Sequence, residues 1–533
     1  MGKQTGPYNI EENASLASGK RAFALLIFRQ TFGGTMPLKI AFIGGGSLGF
    51  TRRLIQDLLC VPEFQDSHFS LMDISKRNLN MTAALIQRDI EFNGFPAKVS
   101  TSTDRKKALA GADYVFCVIR QGGLEAFKLD IEIPLRYGVD QCVGDTLCAG
   151  GIMYGQRGIP ALLEICKDIR AYAKPGALLL NYSNPMAMMT WACNAYGGVP
   201  TVGLCHGVQG GHHQIADVLG KKKSEVDIIA AGINHQTWYL RIETEGRLIG
   251  SEELLRAFEA HPHYSKTEKV RIDVLRRFGL YSTESNGHLS EYVPWYRKRR
   301  SEIHKWIDMS YWIHGETGGY LRVCTEGRNW FHNDYPNWLK EEPPRIHPGI
   351  RSEEHGSYIL EGLHTGRVYR GHFNVVNQGA ISNLPDDCIV EVPGYVDHNG
   401  INIPRVGDLP LACAATLQAS ISVQRMAVEA AIHGDALLLK QAMLHDPLTG
   451  AVCNPDEIWQ MTDRMLLAQA KWLPQYKKAI VAAKKRLAGQ KDLGTFRTKG
   501  AARLKTKGVA EMKRNAVAAK RNAQAADKAG MTR

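Results

Sequence analysis

Leu38-Lys39-Ile40-Ala41-Phe42-Ile43 runs directly into Gly44-Gly45-Gly46-Ser47-Leu48-Gly49, and this stretch decides the fold. A short apolar strand, a G-x-G-x-x-G turn and a helical pattern over about 50–59 open a βαβ unit. Glycines at 44, 46 and 49 let the backbone turn tightly and approach a pyrophosphate. Its charge then sits at Ser47 and the N–H groups of the helix start. A second apolar strand over 68–72 ends in Asp73, 24 residues beyond Gly49. A carboxylate there accepts hydrogen bonds from both ribose hydroxyls and repels a 2′-phosphate, so NAD is expected rather than NADP. The alternative is a glycine-rich βα turn without a ligand.

Working outward, strand and helix patterns keep alternating. Ala112-Asp113-Tyr114-Val115-Phe116-Cys117-Val118-Ile119 reads as a buried strand, followed by the loop Arg120-Gln121-Gly122-Gly123. The prediction is an α/β fold, a Rossmann-like doubly wound sheet, with a second, helix-rich α+β lobe after about residue 250. The expected divisions are an extension over 1–36, a nucleotide-binding domain with metal ligands over 37–250, a substrate and oligomerisation lobe over 251–476, and a basic Ala/Lys-rich tail over 477–533.

Cys205-His206 follows the apolar run 200–204, and His235 comes thirty residues after Cys205 in Gly232-Ile233-Asn234-His235. A thiolate and an imidazole, each at the end of its own predicted strand, can converge on one divalent metal. The alternative is a core cysteine and a hydrogen-bonded core histidine. Pro185 biases Asn184 away from helical geometry and holds its amide at a strand end. Asn184, Cys205 and His235 are all expected on the carboxyl edge of a parallel sheet, where open α/β folds bind ligands. Metal plus nicotinamide implies an enzyme that moves a hydride next to a metal-held oxygen.

The net charge of +13 invites a nucleic-acid reading, but its location argues otherwise. Residues 477–533 hold 17 Lys or Arg against 3 Asp or Glu, which leaves −1 for the rest of the chain. The basicity belongs to the tail, read as a solvated, partly helical appendage, with nonspecific contact to acidic surfaces as the alternative. Eleven cysteines form no C-x-x-C pair and no disulfide framework, which suits a reducing cytoplasm. No apolar run approaches the ~20 residues that span a bilayer, and the short run over 22–28, ended by Arg29, is not read as a signal peptide.

Together Gly44-Gly45-Gly46-Ser47, Met72-Asp73, Gly144-Asp145-Thr146, Asn181-Tyr182-Ser183-Asn184-Pro185-Met186, Gly203-Leu204-Cys205-His206, Gly232-Ile233-Asn234-His235 and Asn383-Leu384-Pro385-Asp386-Asp387 resemble, in that order, the motifs of family 4 glycoside hydrolases. Thr283-Glu284-Ser285 through Glu291-Tyr292-Val293-Pro294-Trp295 and Arg405-Val406-Gly407-Asp408-Leu409-Pro410 extend the resemblance towards its bacterial α-galactosidase members. The resemblance implies a glycosidase outside the usual two-carboxylate scheme. NAD⁺ takes a hydride from sugar C3, a base removes the C2 proton, the glycosidic oxygen leaves by elimination, water adds, and the hydride returns. It further implies Mn²⁺ on Cys205 and His235, His206 as proton donor to the leaving group, and Asn184 on a substrate hydroxyl. His206 has the alternative of a support beside the ligands.

For the C2 base the expectation is Tyr292, a phenol whose pKa a nearby metal and a cationic nicotinamide would lower, with a packing tyrosine as the alternative. Asp145 either tunes the acid/base groups or caps a helix. The implied substrate is a terminal α-D-galactoside taken up by a homo-oligomeric enzyme. Alternatives are an α-glucosidase or α-uronidase of the same family, or a plain NAD-dependent dehydrogenase. Two positions depart from the pattern. Gly207 stands where α-galactosidase relatives commonly have Ser, and Cys148-Ala149 where relatives tend to have Gly-Pro.

Overall fold

The computed structural model describes residues 37–496 and 505–528; the extension expected over 1–36 lies outside them. β1 (Lys39–Ile43) is apolar on both faces and buried, which suits a central parallel strand covered by helices on each side. It pairs in parallel with β2 (His68–Met72) and β4 (Tyr114–Cys117), and β3 (Lys98–Ser102) extends β2. Phe42 and Phe116 stack at 4.8 Å across β1 and β4. β5 (Leu178–Asn181) and β6 (Thr201–Gly203) complete the parallel order β3-β2-β1-β4-β5-β6.

The sheet does not stop at β6. β7 (Val226–Ile233), β8 (Gln236–Thr244) and β9 (Arg247–Leu248) form antiparallel hairpins. β10 (Tyr369–Val376) and β11 (Ile389–Asp397) come from far downstream and insert between β6 and β7, with β12 (Gly400–Asn402) on β11. One row of paired residues, Gly203, Asn374, Glu391 and Gly232, crosses all four central strands. The carboxyl ends of β6 and β7 meet along that row, and both halves of the chain share one sheet. β7 is antiparallel to both neighbours, so His235 reaches Cys205 at the carboxyl end of β6 from a hairpin and not from the end of a parallel strand, as the βα periodicity suggested. It lies in the turn of the β7–β8 hairpin.

The helix Cys148–Tyr172 packs against the long helix Leu411–His433, joining the first region to the second. The tail is better anchored than its composition suggests. The helix Lys477–Ala488 buries Ala483 and docks on the helix Pro455–Ala468, where Arg486 makes two 2.8 Å bonds to Asp463. Asp463 is buried and is also 2.7 Å from Lys440. Farther on, Lys513 of the helix Val509–Lys528 pairs with Asp334 at 2.5 Å. A basic segment with few apolar residues is held here by acids of the folded body, a contact that composition alone does not show.

Candidate active site

The glycine turn is shaped from both sides. Gly44 N and Gly45 N donate to Met72 O at 2.9 and 2.7 Å, tying the turn to the end of β2. Gly44 has φ +90°, and a Cβ there would lie 2.7 Å from Val118 O, so only glycine fits. Gly46 N donates to Asp73 Oδ2 at 2.9 Å, and Ser75 N donates to Oδ1 at 2.7 Å. Asp73 therefore braces the turn with one bond per oxygen and keeps lone pairs for a ribose. Ser47 is extended, and its carbonyl accepts from Thr51 N at 2.8 Å. Gly49 has open space around it, so the third glycine meets no steric demand. The helix starts with a π-turn, Leu48–Arg52, before the α-helix Arg53–Leu59, and its first N–H groups lack intrahelical partners. A dinucleotide fits this cradle.

Cys205, just past β6, is 8% exposed, and His235, between β7 and β8, is 5% exposed. Cys205 Sγ and His235 Nε2 lie 3.2 Å apart. Glu284, two residues before the helix Asn286–Tyr292, brings Oε2 to 3.7 Å from each. These three types of donor atom suit a divalent transition ion. Burial, then Glu284 and Glu391, push the Cys205 thiol well above its ordinary range, so a bound cation is needed to hold it as thiolate. Burial acts to raise the Glu284 carboxyl, but His235, His288 and His206 outweigh it and hold the group below the usual range.

His235 is oriented from behind. Thr146 Oγ1 donates to Asp145 Oδ1 at 2.9 Å and lies 2.8 Å from His235 Nδ1. A hydroxyl has one proton; with that proton on Asp145, Thr146 accepts from His235 Nδ1–H, and the Nε2 lone pair faces Cys205. Asp145 Oδ2 accepts from Asn184 Nδ2 at 2.9 Å. Asp145 is thus an orienting group; Leu147, not Asp145, precedes the helix Cys148–Tyr172. Its loop is gripped in turn by Glu291, which accepts from Cys142 N at 2.6 Å and Gly144 N at 3.0 Å. Cys148 takes φ +60°, in the region that favours glycine.

The remaining expected residues fall around this corner. The His206 side chain is 59% exposed, with Nδ1 3.3 Å from Glu354 Oε1. That pairing pushes its pKa up to about 9, a shift tempered by the solvent over the ring. The Tyr292 ring stacks beside His235 at 6.5 Å. Its buried hydroxyl makes no hydrogen bond of full geometry, although Thr146 is near enough to favour the phenolate. Burial, then Glu291 and Asp145, push this phenol well above its ordinary range. The expected lowering therefore does not come from the protein's own side chains, which place carboxylates beside Tyr292.

Sequence reasoning missed Glu284 and His288. His288 stands in one group with Asp145 and His235; Ser285 Oγ engages its Nδ1 at 2.7 Å, and burial pushes its pKa down to about 4. Both residues were visible in the Thr283–Tyr292 stretch, but nothing in their spacing from Cys205 or His235 signals contact.

The family model "Family 4 glycosyl hydrolase" matches residues 39–221, and that of its C-terminal domain matches 230–449. An α-galactosidase of Rhizobium meliloti (strain 1021) is 61% identical over 87% of this chain and 95% of its own length. An α-galactosidase of Bacillus subtilis (strain 168) is 33% identical over 82% of this chain and all of its own. The 6-phospho-β-glucosidase of Thermotoga maritima, solved with manganese, NAD⁺ and glucose-6-phosphate, has the same fold at a TM-score of 0.67 and 22% identity, covering 81% of this chain and 98% of that one. With both family models spanning its glycine turn and its Cys205/His235 corner, the chain belongs to glycoside hydrolase family 4.

Proposed function

We propose that this chain is an NAD- and Mn²⁺-dependent α-galactosidase that hydrolyses terminal α-D-galactosides of the melibiose and raffinose type. The observation that carries the reading is the meeting of Cys205 Sγ and His235 Nε2 at 3.2 Å in a chain that also braces a dinucleotide turn with Asp73. The choice of α-galactoside is supported by the 61% identity to the Rhizobium enzyme. Bound NAD⁺ supplies a reversible hydride acceptor, and bound Mn²⁺ a Lewis acid beside it.

The chain's own residues do the rest. Cys205 and His235 hold the metal, and Thr146 with Asp145 fixes the imidazole tautomer. His206, held protonated by Glu354, gives its proton to the departing glycosidic oxygen. Asn184 spends one N–H on Asp145 and keeps its other N–H and its carbonyl oxygen for sugar hydroxyls. Tyr292, beside His235, takes the C2 proton once bound cations offset the carboxylates around it. A second reading gives that step to His288, favoured by one observation: its imidazole is kept neutral by burial and grouped with Asp145 and His235.

Release of aryl alcohol from an aryl α-galactoside should need both NAD⁺ and Mn²⁺ and stop with chelator. In D₂O the released galactose should carry deuterium at C2. Tyr292→Phe should slow this exchange and turnover together; retention of both in Tyr292→Phe with loss in His288→Asn would move the base to His288. Galactose without solvent deuterium at C2 would overturn the redox route.

We also propose cytoplasmic residence, supported by eleven free cysteines, and self-association. Among the described residues no helix is long and apolar enough to cross a membrane.

A further inference from the structure

Glu284 is a largely buried carboxylate that, among the described residues, has no Lys or Arg within ion-pair distance. Its side chain is 12% exposed, and its polar contacts among the described residues are Cys205 Sγ and His235 Nε2, each 3.7 Å from Oε2. Neither carries the fixed charge of a Lys or Arg side chain. The nearby guanidinium of Arg271 is engaged by Glu268, Gln214 and the Ser282 carbonyl instead. Burying a carboxylate unpaired costs several kcal/mol, so such groups are normally paired or bind metal.

The spacing of the three donor atoms fits an ion. For separations of 3.2, 3.7 and 3.7 Å, the equidistant point lies about 2.1 Å from each atom, matching imidazole and carboxylate bonds to a divalent ion. A small displacement away from sulfur lengthens that bond towards the ~2.3 Å a thiolate prefers.

Gly207 makes the arrangement possible. A Cβ at that position would lie 1.8 Å from Glu284 Oε2 and 2.8 Å from its carboxyl carbon. No residue with a side chain at 207 could coexist with the carboxylate where it now stands. The missing side chain next to His206 therefore leaves the space that Glu284 fills.

We propose that Glu284 is a third protein ligand of the divalent ion, admitted to the corner by the missing side chain of Gly207. This rests on the metal-enzyme reading above and adds a ligand beyond the Cys205/His235 pair. A thiolate and a carboxylate together neutralise the dication, so the ion is held before any sugar arrives.

The test is Mn²⁺ affinity, read from the electron paramagnetic resonance of free Mn²⁺ with NAD⁺ present and sugar absent. The proteins are wild type, Glu284→Gln, Gly207→Ser, the double variant and Cys205→Ser. Glu284→Gln should weaken Mn²⁺ binding by roughly tenfold or more, and Gly207→Ser should act in the same direction by displacing the carboxylate. The double variant should bind no more weakly than Glu284→Gln alone, since both changes remove one interaction. NAD⁺ affinity should be unchanged throughout, reporting a folded protein. Mn²⁺ binding lost in Cys205→Ser but unchanged in Glu284→Gln would overturn the third ligand and leave the metal enzyme standing. Wild-type protein that takes up no Mn²⁺ would overturn both.

Discussion

The dinucleotide turn and the metal corner are built by opposite strategies. The turn is local: within residues 38–75, Gly44, Gly46 and Asp73 are brought together by two adjacent parallel strands and one short loop. The corner draws Asp145 and Thr146, Cys205, His235 and Glu284 from four separate segments, and its floor from β10 and β11, more than 130 residues past His235. A local site survives as long as its strand pair survives. A corner assembled from distant segments depends on the whole sheet and on groups that touch no ligand themselves.

The largest effect that sharpens this contrast is expected behind the corner. Thr146→Val keeps the shape of the side chain but removes the hydroxyl between Asp145 and His235, freeing the imidazole to take the wrong tautomer. Mn²⁺ affinity should fall roughly 10- to 100-fold while NAD⁺ affinity holds. An equal loss of both would mean that the two sites are one cooperative unit.

On the local side, Asp73→Ala removes the brace on Gly46 N as well as the ribose acceptor. NAD⁺ binding should weaken by about tenfold, the cost of losing a charge-assisted hydrogen bond. The preference over NADP⁺ should narrow, because a repulsive charge is gone. The ratio of the two dissociation constants is the quantity to measure; an unchanged ratio would place Asp73 away from the ribose.

The smallest effect concerns the tail. Arg486→Ala leaves buried Asp463 with Lys440 alone and should cost about 1 kcal/mol, lowering Tm by about one degree in a chain of this length without changing turnover. Burial acts to raise the Asp463 carboxyl, but Arg486 and Lys440 outweigh it and hold the group below its ordinary value. A lowered native pKa contributes stability above the unfolded value of about 4 and loses it as pH falls through the native one. The difference in Tm between wild type and variant should therefore shrink below about pH 4.

The same contrast explains what the sequence reveals and what it hides. The β1 run, the glycines and Asp73 are legible because strand period, turn chemistry and a fixed offset all act within one βαβ unit. Cys205 and His235 are legible as strand-end donors, but the direction of β7 is not. An apolar run such as 226–233 reads the same in a parallel or an antiparallel strand, and only the inserted β10 and β11 decide it. Glu284 and His288 were hidden because nothing in a loop's spacing says which strand end it packs on. The contacts of the partly helical tail are hidden for a related reason: its partners Asp463 and Asp334 lie elsewhere in the chain.

The sequence by itself determined the glycine turn, the acid at the end of β2, the Cys/His pair and the family, because short-range geometry and residue chemistry suffice for each. Only the tertiary structure decided that β6 and β7 meet end to end across two inserted strands, that Thr146 sets the tautomer of His235, and that carboxylates crowd Tyr292. It alone showed that the space left by Gly207 is filled by Glu284. Those outcomes depend on which distant side chains share a few cubic ångströms of buried volume, and that is fixed by close packing of the whole sheet rather than by any local pattern.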